Sequence, residues 1–376
     1  EKTVLSDPST SGHYSDDIVI GSVLTDDEHV GISDRALTFE IRLGDSWQTL
    51  GSNTTNSNGE ASLRILLSYD PGTYDLKVMF NGDEYYEPCE AYGTLTVRKE
   101  IATISAFESS GNYSDTVLLV AKLTDDDNTP LENLVVGFNV SSDNITWIFI
   151  GEAYTNSSGY AELSYVIDLP YGNYTLKAYF EGNDYYEATC GYSTLIVLRE
   201  EVVIMLDSQS YTVNYSDSLK ILVRAIDNEG DPITDTTIYV NVSDILLGSG
   251  MTNESGYTLI DSKIDLEPSQ YTLLIYHKAD EYYEYGEAQA ELIVGKEETM
   301  IIEVSGIGRY GDENAVIQAR LVDNENTSIE QRTIEFYFYN ESDESWEYLG
   351  CNITNSDGYA TIKTALTLPF GEYDLN

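Results

Sequence analysis

The sequence repeats the same short motifs four times along its length. Successive copies lie 95 to 102 residues apart, which is the size of one small β-sandwich. Shorter periods are typical of solenoids whose units cannot fold alone, whereas this period gives each unit enough chain for its own core. One motif, Tyr-Ser-Asp, begins at Tyr14, Tyr113 and Tyr215 and returns as Tyr310-Gly311-Asp312, and the other, Thr-Asn-x-x-Gly, begins at Thr55, Thr155, Thr252 and Thr354.

The period predicts four domains in series. Their predicted ranges are 1–99, 100–199, 200–296 and 297–376. We expect the fourth to be incomplete and the chain to belong to a longer array, because Tyr373 corresponds to the entrance of a strand that starts near Tyr74. The joints, such as Arg98-Lys99-Glu100, are short and contain no flexible Gly/Ser linker. The domains are therefore predicted to stand end to end as a semi-rigid rod.

Alternating apolar residues predict strands throughout each unit. Tyr74, Leu76, Val78 and Phe80 fall on one face of a strand, opposite Asp75 and Lys77. Further strands are expected over 17–24 and 36–43, and no segment has a helical period. Each unit is thus predicted to be an all-β sandwich of about seven strands. The tyrosines at the Gly-x-Tyr strand entrance are predicted to bond back to their own loop as tyrosine corners: Tyr74, Tyr174, Tyr271 and Tyr373.

These motifs together resemble the bacterial and archaeal Ig-like repeat domains of cell-surface proteins. The resemblance rests on Gly72-x-Tyr74, on Phe80-Asn81-Gly82-Asp83 with the following tyrosine pair, and on Ser57-x-Gly59-x-Ala61-x-Leu63. It covers three full copies and one partial copy, and it implies tandem Ig-like sandwiches. It also implies a role as a stalk or spacer of an adhesin, a surface layer or a secreted enzyme. The third unit departs from the pattern at Ser269-Gln270-Tyr271 and at Ala279-Asp280.

The net charge of −46 limits the partners of this chain. With 65 acidic and 19 basic residues, it carries no basic stripe for nucleic acid and no cationic surface for anionic lipid. Disorder is disfavoured, because 41% of the residues are hydrophobic and they alternate as strands do. No apolar run predicts membrane insertion in this segment. The expected partners are other copies or cell-surface proteins, and glycans.

Twelve Asn-x-Ser/Thr triplets predict an extracellular glycoprotein. Chance would give about four among the asparagines of this chain. The alternative is that turn-rich β-proteins use Asn, Ser and Thr heavily in any case. Asn53, Asn112, Asn156 and Asn253 are expected in turns, where a glycan disturbs no packing. The twelve candidate sites are Asn53, Asn112, Asn139, Asn144, Asn156, Asn173, Asn214, Asn241, Asn253, Asn326, Asn340 and Asn352.

The cysteines do not form a disulfide framework. Cys89 and Cys190 occupy similar positions in the first two units, too far apart in an end-to-end array to be bridged, and Cys351 is the third. Burial as small apolar residues is the favoured prediction. Contacts with neighbouring chains and metal ligation are the alternatives.

No catalytic motif is present, so the segment is predicted not to be an enzyme. Two features could bind a ligand. The first is the pair of tyrosines after each Gly-Asp loop, which begins at Tyr85, Tyr185 and Tyr282. Exposed tyrosines can stack on sugar rings. We expect instead that one ring of each pair packs into the end of the sandwich and that the other covers the joint to the next unit.

The second feature is a run of acids in the first long loop of each unit. In an Ig-like sandwich this loop faces the preceding unit, so carboxylates would meet across the joint. Calcium prefers such oxygen ligands, although solvated loops carry the same residues and no run has EF-hand spacing. The candidate calcium ligands are Asp16, Asp17, Asp125, Asp126, Asp127, Asp227 and Asp231.

The sequence therefore predicts a structural extracellular array. It would form a semi-rigid glycosylated stalk, surface-layer or filament component of a prokaryotic cell surface, with an archaeal source favoured. The alternative is a non-catalytic spacer or carbohydrate-binding region of a secreted enzyme. A catalytic domain in the same polypeptide would favour the alternative, and further repeats with an anchor would favour the array.

Overall fold

The computed structural model describes residues 1–309, 311–342, 344–365, 367 and 371–375. Within these residues the chain forms 29 strands and no helix. The strands build two compact units, Glu1–Glu200 and Glu201–Asn376. Each unit contains two separate hydrophobic cores, so four cores follow one another along the chain. The domain boundaries predicted from the repeat are not tested independently and stay a prediction.

The first sandwich packs a three-stranded sheet, of order β1-β3-β6, on a five-stranded sheet, of order β2-β8-β7-β4-β5. Between them lie fully buried side chains such as Ile20, Phe39 and Leu76. The alternation predicted for the strand after Tyr74 is present: Leu76, Val78 and Phe80 are buried between exposed or half-buried neighbours. The strands are β1 Thr3–Leu5, β2 Thr10–His13, β3 Asp17–Asp26, β4 Ala36–Leu43, β5 Ser46–Thr54, β6 Glu60–Leu66, β7 Gly72–Phe80 and β8 Cys89–Arg98.

The first strand of the sandwich is divided between the two sheets. β1 pairs antiparallel with β3, and β2 then crosses to the other sheet and pairs parallel with β8, with Thr10 opposite Leu95. This division raises the predicted count of about seven strands to eight. Because β2 and β8 run side by side in the same direction, the N-terminal end of β2 and the C-terminal end of β8 lie at opposite ends of this strand pair. We call this pair the parallel clasp.

The second sandwich repeats the arrangement within the same unit. Its sheets have the orders β14-β11-β9 and β10-β16-β15-β12-β13, and its core is centred on Leu119, Phe138 and Leu176. The parallel clasp recurs between β10 and β16. The strands are β9 Ala102–Ala106, β10 Ser109–Asn112, β11 Thr116–Asp125, β12 Val135–Ser141, β13 Ile148–Tyr154, β14 Tyr160–Val166, β15 Gly172–Phe180 and β16 Thr189–Leu198.

The third sandwich opens the second unit with the same topology. Its sheets have the orders β17-β19-β22 and β18-β24-β23-β20-β21, and β18 forms the parallel clasp with β24. The departures of its loops from the repeat pattern leave the fold unchanged. The strands are β17 Val203–Leu206, β18 Ser210–Asn214, β19 Ser218–Ile226, β20 Thr237–Val242, β21 Ile245–Met251, β22 Tyr257–Lys263, β23 Gln270–His277 and β24 Gly286–Gly295.

The fourth sandwich is represented by five strands among the described residues. β25-β26-β29 form the small sheet and β27-β28 part of the large one. Near the end, Leu375 bridges to Phe338, as the strand after Tyr74 pairs with β4 in the first sandwich. The strands are β25 Thr299–Ile307, β26 Ala315–Asp323, β27 Thr333–Asn340, β28 Ser345–Ile353 and β29 Tyr359–Thr364.

The Tyr-Ser-Asp motif is a tight turn that holds its serine in the left-handed region. Ser15, Ser114 and Ser216 have φ of 71°, 71° and 72°, a conformation that is unfavourable for any residue with a Cβ atom. Gly311 takes the same position in the fourth copy with φ of 83°, and glycine adopts it without strain. Tyr310 lies outside the described residues. Three copies thus retain a strained serine where glycine would fit.

The tyrosine corners form as predicted wherever they are described. The hydroxyl of Tyr74 donates to the carbonyl of Asp70 at 2.7 Å, Tyr174 to Pro170 at 2.9 Å, and Tyr271 to Glu267 at 2.7 Å. The residue four positions before Tyr373 lies outside the described part of the chain. Each corner fixes the loop that enters the long strand β7, β15 or β23.

Candidate functional site

The most elaborate polar arrangement in the first unit is the contact between its two sandwiches, here called the first joint (residues 14–16, 98–101, 125–127 and 183–187). The linker is held by backbone hydrogen bonds to the second sandwich. The Glu100 amide donates to the carbonyl of Tyr185 at 2.7 Å, and the Glu187 amide donates to the carbonyl of Glu100 at 2.8 Å. The Lys99 ammonium donates to the carbonyl of Asn183 at 2.6 Å. The linker therefore has no slack at this point.

The Glu100 side chain connects the two sandwiches. Its Oε2 accepts from the Ser15 hydroxyl of the first sandwich at 3.3 Å, and its Oε1 accepts from the Ile101 amide at 3.0 Å. The residue is only 1% exposed. Burial raises the pKa of Glu100 to about 7, and the neighbouring carboxylates of Asp16 and Asp126 act in the same direction. The strained Ser15 thus presents its hydroxyl to a buried acid.

Tyrosine rings cover this glutamate. The ring of Tyr14, from the first sandwich, lies 4.9 Å from that of Tyr185 and 6.1 Å from that of Tyr186, both in the second sandwich. Tyr186 also packs against the second core, and burial raises its pKa. A hydrogen bond to Asp70 of the first sandwich raises the pKa of Tyr185. As predicted, one tyrosine of the pair fills the sandwich end and the other covers the joint.

The acids of the first joint divide into two groups. Carboxylate oxygens of Asp16, Asp126 and Asp127 lie within 4.8 Å of one another. Asp125 is buried and serves its own loop, because its carboxylate accepts from the Thr129 amide at 2.6 Å. Asp17 lies at the start of β3, where it forms an ion pair with Arg64 at 3.0 Å. Of the residues predicted around this joint, the structure therefore brings together three.

A second joint lies inside the second unit (residues 215–217, 296–298 and 323–325). The Ser216 hydroxyl donates to Oε2 of Glu297 at 3.2 Å, and the Glu298 amide donates to Oε1 at 3.1 Å, which reproduces the contacts of Glu100. Glu297 is half-buried. Burial raises its pKa, and the charge of Asp217 adds to the effect. Oxygens of Asp217, Glu297 and Glu325 again lie within 4.8 Å of one another.

The two predicted ligands in the third sandwich belong to one loop. The carboxylate of Asp227 accepts from the Asp231 amide at 2.7 Å, as Asp125 does for Thr129 and Asp323 for Thr327. Asp227 is buried and Asp231 is exposed. The first acid of each run thus closes the loop on itself. The prediction of calcium at these residues stays a prediction.

Sequence reasoning missed the joint glutamates. Glu1, Glu100, Glu200 and Glu297 occupy one position of the repeat, and that recurrence was the available signal. Glu1 even makes the same backbone contacts as Glu100: its amino group donates to the carbonyl of Tyr85 at 2.9 Å, and the Glu87 amide donates to its carbonyl at 2.8 Å. The contacts of Glu100 and Glu297 depend on serines more than 80 residues away in the sequence, which no local pattern reveals.

The candidate glycosylation asparagines differ in exposure. Asn156 and Asn253 lie in exposed turns as predicted, with their carbonyl oxygens accepting backbone amides. The predicted turn placement is wrong for Asn53, which lies in β5 with its side-chain nitrogen donating to Ser62 at 2.7 Å, and for Asn112, which is half-buried at the end of β10. The other exposed asparagines are Asn144, Asn173, Asn326 and Asn352, and the other half-buried ones are Asn139, Asn214, Asn241 and Asn340. Glycosylation itself stays a prediction.

The three cysteines are free thiols. Cys89 is half-buried, and burial raises its pKa. Cys190 and Cys351 are exposed, so the favoured prediction of burial is wrong for these two. Both lie on the outward side of a strand in the large sheet, where side chains alternate between core and solvent.

Comparison with known proteins gives structural neighbours but no sequence relatives. No family model and no curated protein matches the chain. A tetra-tandem repeat from the extending region of a large adhesion protein matches all of this chain and 94% of its own, with 10% identity and a TM-score of 0.39. An I-band fragment from titin matches 76% of this chain and 95% of its own, with 12% identity and a TM-score of 0.31. Structural similarity with identities and TM-scores this low does not support a conclusion about function. The Ig-like fold is assigned from the strand order of the sandwiches.

No helix in the described part of the chain is long and apolar enough to cross a membrane.

Proposed function

We propose that this chain is a non-catalytic, semi-rigid spacer on the outside of a prokaryotic cell, with an archaeal source favoured. It would hold another part of a stalk, surface layer or filament at a fixed distance, and it would carry N-linked glycans. Its acidity supports this setting, because a net charge of −46 keeps a long exposed molecule soluble and free of nucleic acid.

The main support for this proposal is the set of specific contacts that closes the first joint. A flexible string of domains would need only a polar linker, whereas the first joint is closed by backbone hydrogen bonds, by the buried Glu100 and by three tyrosine rings. The same Ser–Glu contact returns at Glu297 in the other unit. A contact that is reproduced at corresponding positions of the repeat favours a role in setting the angle between neighbours.

The parallel clasp supports a load-bearing role. Tension pulls the N-terminal end of β2 and the C-terminal end of β8 in opposite directions, and these strands lie side by side in parallel. The hydrogen bonds of the pair are then loaded together in shear, rather than one after another. The clasp recurs as β10–β16 and β18–β24, so each complete sandwich would resist extension in the same way.

Single-molecule stretching of the 376-residue chain tests the proposal. We expect separate unfolding events, each releasing about one hundred residues of contour length. Thr10→Pro removes a backbone donor that faces β8, because such donors alternate along a parallel pair and the Tyr14 amide donates to the Arg98 carbonyl. This replacement should lower the force of one event. Val4→Pro is the matched control, because it alters β1, which pairs with β3 in the small sheet and is not part of the clasp. Smooth extension at low force in the unaltered chain would contradict a load-bearing spacer.

A further inference from the structure

The only three tryptophans of the chain occupy one position of the repeat. Trp47 and Trp346 are the second residues of β5 and β28, and Trp147 immediately precedes β13. None belongs to a hydrophobic core. All three lie on the edge strand of the large sheet or next to it, where a tryptophan contributes nothing to the interior. Their placement therefore calls for an explanation outside the packing of the sandwich.

In the first sandwich, Trp47 lies across the outer face of the large sheet. Its ring centre is 6.0 Å from that of Tyr92, although β5 and β8 are separated by β4 and β7. The Lys77 ammonium lies 4.8 Å from the indole centre and 2.6 Å from the Glu40 carboxylate. The Lys77 and Glu40 side chains are only 13% and 15% exposed. A cation on one side thus holds the indole in place, and Tyr92 extends the aromatic surface into solvent with 56% exposure.

The second sandwich repeats this arrangement, and the third and fourth contain part of it. Trp147 lies 6.2 Å from Tyr192, with the Lys177 ammonium 5.7 Å from the indole centre. Trp346 lies 5.3 Å from Tyr339. The third sandwich has no tryptophan, and there Tyr239 stacks on Tyr276 at 5.4 Å with the Lys278 ammonium 4.4 Å from the Tyr239 ring. We call these four clusters the aromatic platforms.

We propose that the aromatic platforms bind a neutral polysaccharide. The flat face of a pyranose presents weakly positive C–H bonds, which suit the negative face of an aromatic ring. Polar groups for its hydroxyls stand at the rim, since the Tyr92 hydroxyl donates to Glu90 at 2.9 Å and that of Tyr285 to Glu287 at 2.5 Å.

Charge decides which occupant fits. The platform lysines of the first two sandwiches are engaged, Lys77 with Glu40 and an indole, and Lys177 with the rings of Trp147 and Tyr179. The chain as a whole carries a net charge of −46, which disfavours the approach of a uronate or a sulfate. A second copy of this chain would bring equally acidic sheets together. A neutral glycan meets neither obstacle, and repeated platforms would bind a chain of sugars with avidity.

Tryptophan fluorescence of the full chain tests this directly, because every tryptophan is on a platform. The probes are the neutral oligomers cellohexaose, mannohexaose and chitohexaose, with hexagalacturonate as the anionic comparison. We expect at least one neutral oligomer to shift the emission saturably and hexagalacturonate not to do so. No shift with any neutral oligomer at millimolar concentration would overturn the proposal, as would equal binding of hexagalacturonate.

Variants locate the binding surface. Trp47→Ala, Trp147→Ala and Trp346→Ala combined should weaken binding about tenfold or more by calorimetry, and the three Trp→Phe replacements should restore part of it. Tyr85→Ala is the control, since Tyr85 is exposed but belongs to the tyrosine pair at the end of the first sandwich. Unchanged binding by the triple alanine variant would overturn the proposal. So would concentration-dependent self-association that the triple variant abolishes, because the platforms would then bind a second copy.

Discussion

The two joints contain the same contact but bury it to different depths. At both, a left-handed serine donates to a glutamate whose other oxygen accepts a backbone amide. Glu100 is 1% exposed, whereas Glu297 is half-buried. At the first joint the loop carrying Tyr185 and Tyr186 closes over the glutamate with Tyr14. The described residues of the second joint include no tyrosine pair.

This difference separates two contributions to the joint. The turn and the linker supply the hydrogen bonds, and they do so in both units. The tyrosine loop supplies the burial, which raises the pKa of the glutamate because it removes water from the charged form. Each joint therefore contains a hydrogen-bonded frame, formed by the serine, the glutamate and the amide that follows it. In the first joint, the rings of Tyr14, Tyr185 and Tyr186 form an aromatic cover over this frame.

Removing the cover should have the largest effect. Tyr186→Ala deletes a ring that packs on both the second core and Tyr14, and we expect a loss of about 3 kcal/mol in the free energy of unfolding. Tyr86→Ala is the control, because Tyr86 packs on the first core and against the Arg35 guanidinium, whereas Tyr186 also contacts Tyr14 of the other sandwich. Urea denaturation measures both. Only Tyr186→Ala should also return the Glu100 pKa toward its ordinary value, and a Glu100 pKa that stays near 7 in this variant would contradict the cover.

Replacing the charge should stabilise the first joint. Glu100→Gln retains an oxygen for the Ile101 amide but removes the negative charge that burial disfavours, so we expect a gain of roughly 1–3 kcal/mol above pH 7. Glu297→Gln should gain less, because that residue is half-buried. Thermal denaturation at neutral pH compares the two. An equal gain at both positions would mean that the tyrosine cover is not what distinguishes them.

The same charge predicts how stability depends on pH. The folded-state pKa of Glu100, about 7, lies above its ordinary value of 4.5. The folded form thus retains a proton that the unfolded form releases, and this contribution is present below pH 4.5 and is lost as the pH rises through 7. The difference in melting temperature between Glu100→Gln and the unaltered chain should therefore grow across this interval. The comparison cancels the titration of acids that do not interact with Glu100, and a difference that stays constant would contradict the assignment to Glu100.

The smallest effect is expected when the serine of the frame is changed. Ser15→Gly removes left-handed strain but also loses the hydrogen bond to Glu100, so the two effects should offset each other to within about 1 kcal/mol. Ser216→Gly should change the stability by a similarly small amount, because Ser216 makes the same hydrogen bond to Glu297 at the second joint. Calorimetry provides the stabilities. A loss of several kcal/mol at one joint alone would show that the frames are not equivalent.

The sequence predicted the parts of this structure that depend on local pattern. Alternation located β3, β4 and β7, and the Gly-x-Tyr spacing identified the tyrosine corners. The split of the first strand was not predicted, because the Thr-Ser-Gly-His sequence of β2 has no apolar alternation. The parallel pairing of β2 with β8 joins residues about 85 positions apart.

The candidate sites were less predictable, since identical side chains take different roles. Asp125 and Asp126 are neighbours in one acidic run, but the first closes its own loop and the second faces the preceding sandwich. Only the backbone geometry of the loop distinguishes them. In the sequence, Glu100 looked like an ordinary charged residue of a polar linker, although a glutamate occupies this position in every copy of the repeat. The repetition of Trp47, Trp147 and Trp346 was visible in the sequence, but their shared outward face was not.

The central claim is that the first joint fixes the orientation of its two sandwiches. Pulsed electron–electron dipolar spectroscopy measures this with spin labels at Ser62→Cys and Ser164→Cys, both exposed on the small sheets, in a chain whose three native cysteines are replaced by serine. The account predicts one narrow distance distribution, which broadens when a Gly-Ser-Gly insertion separates Lys99 from Glu100. A distribution that is already broad without the insertion, and is unchanged by it, would contradict a fixed joint.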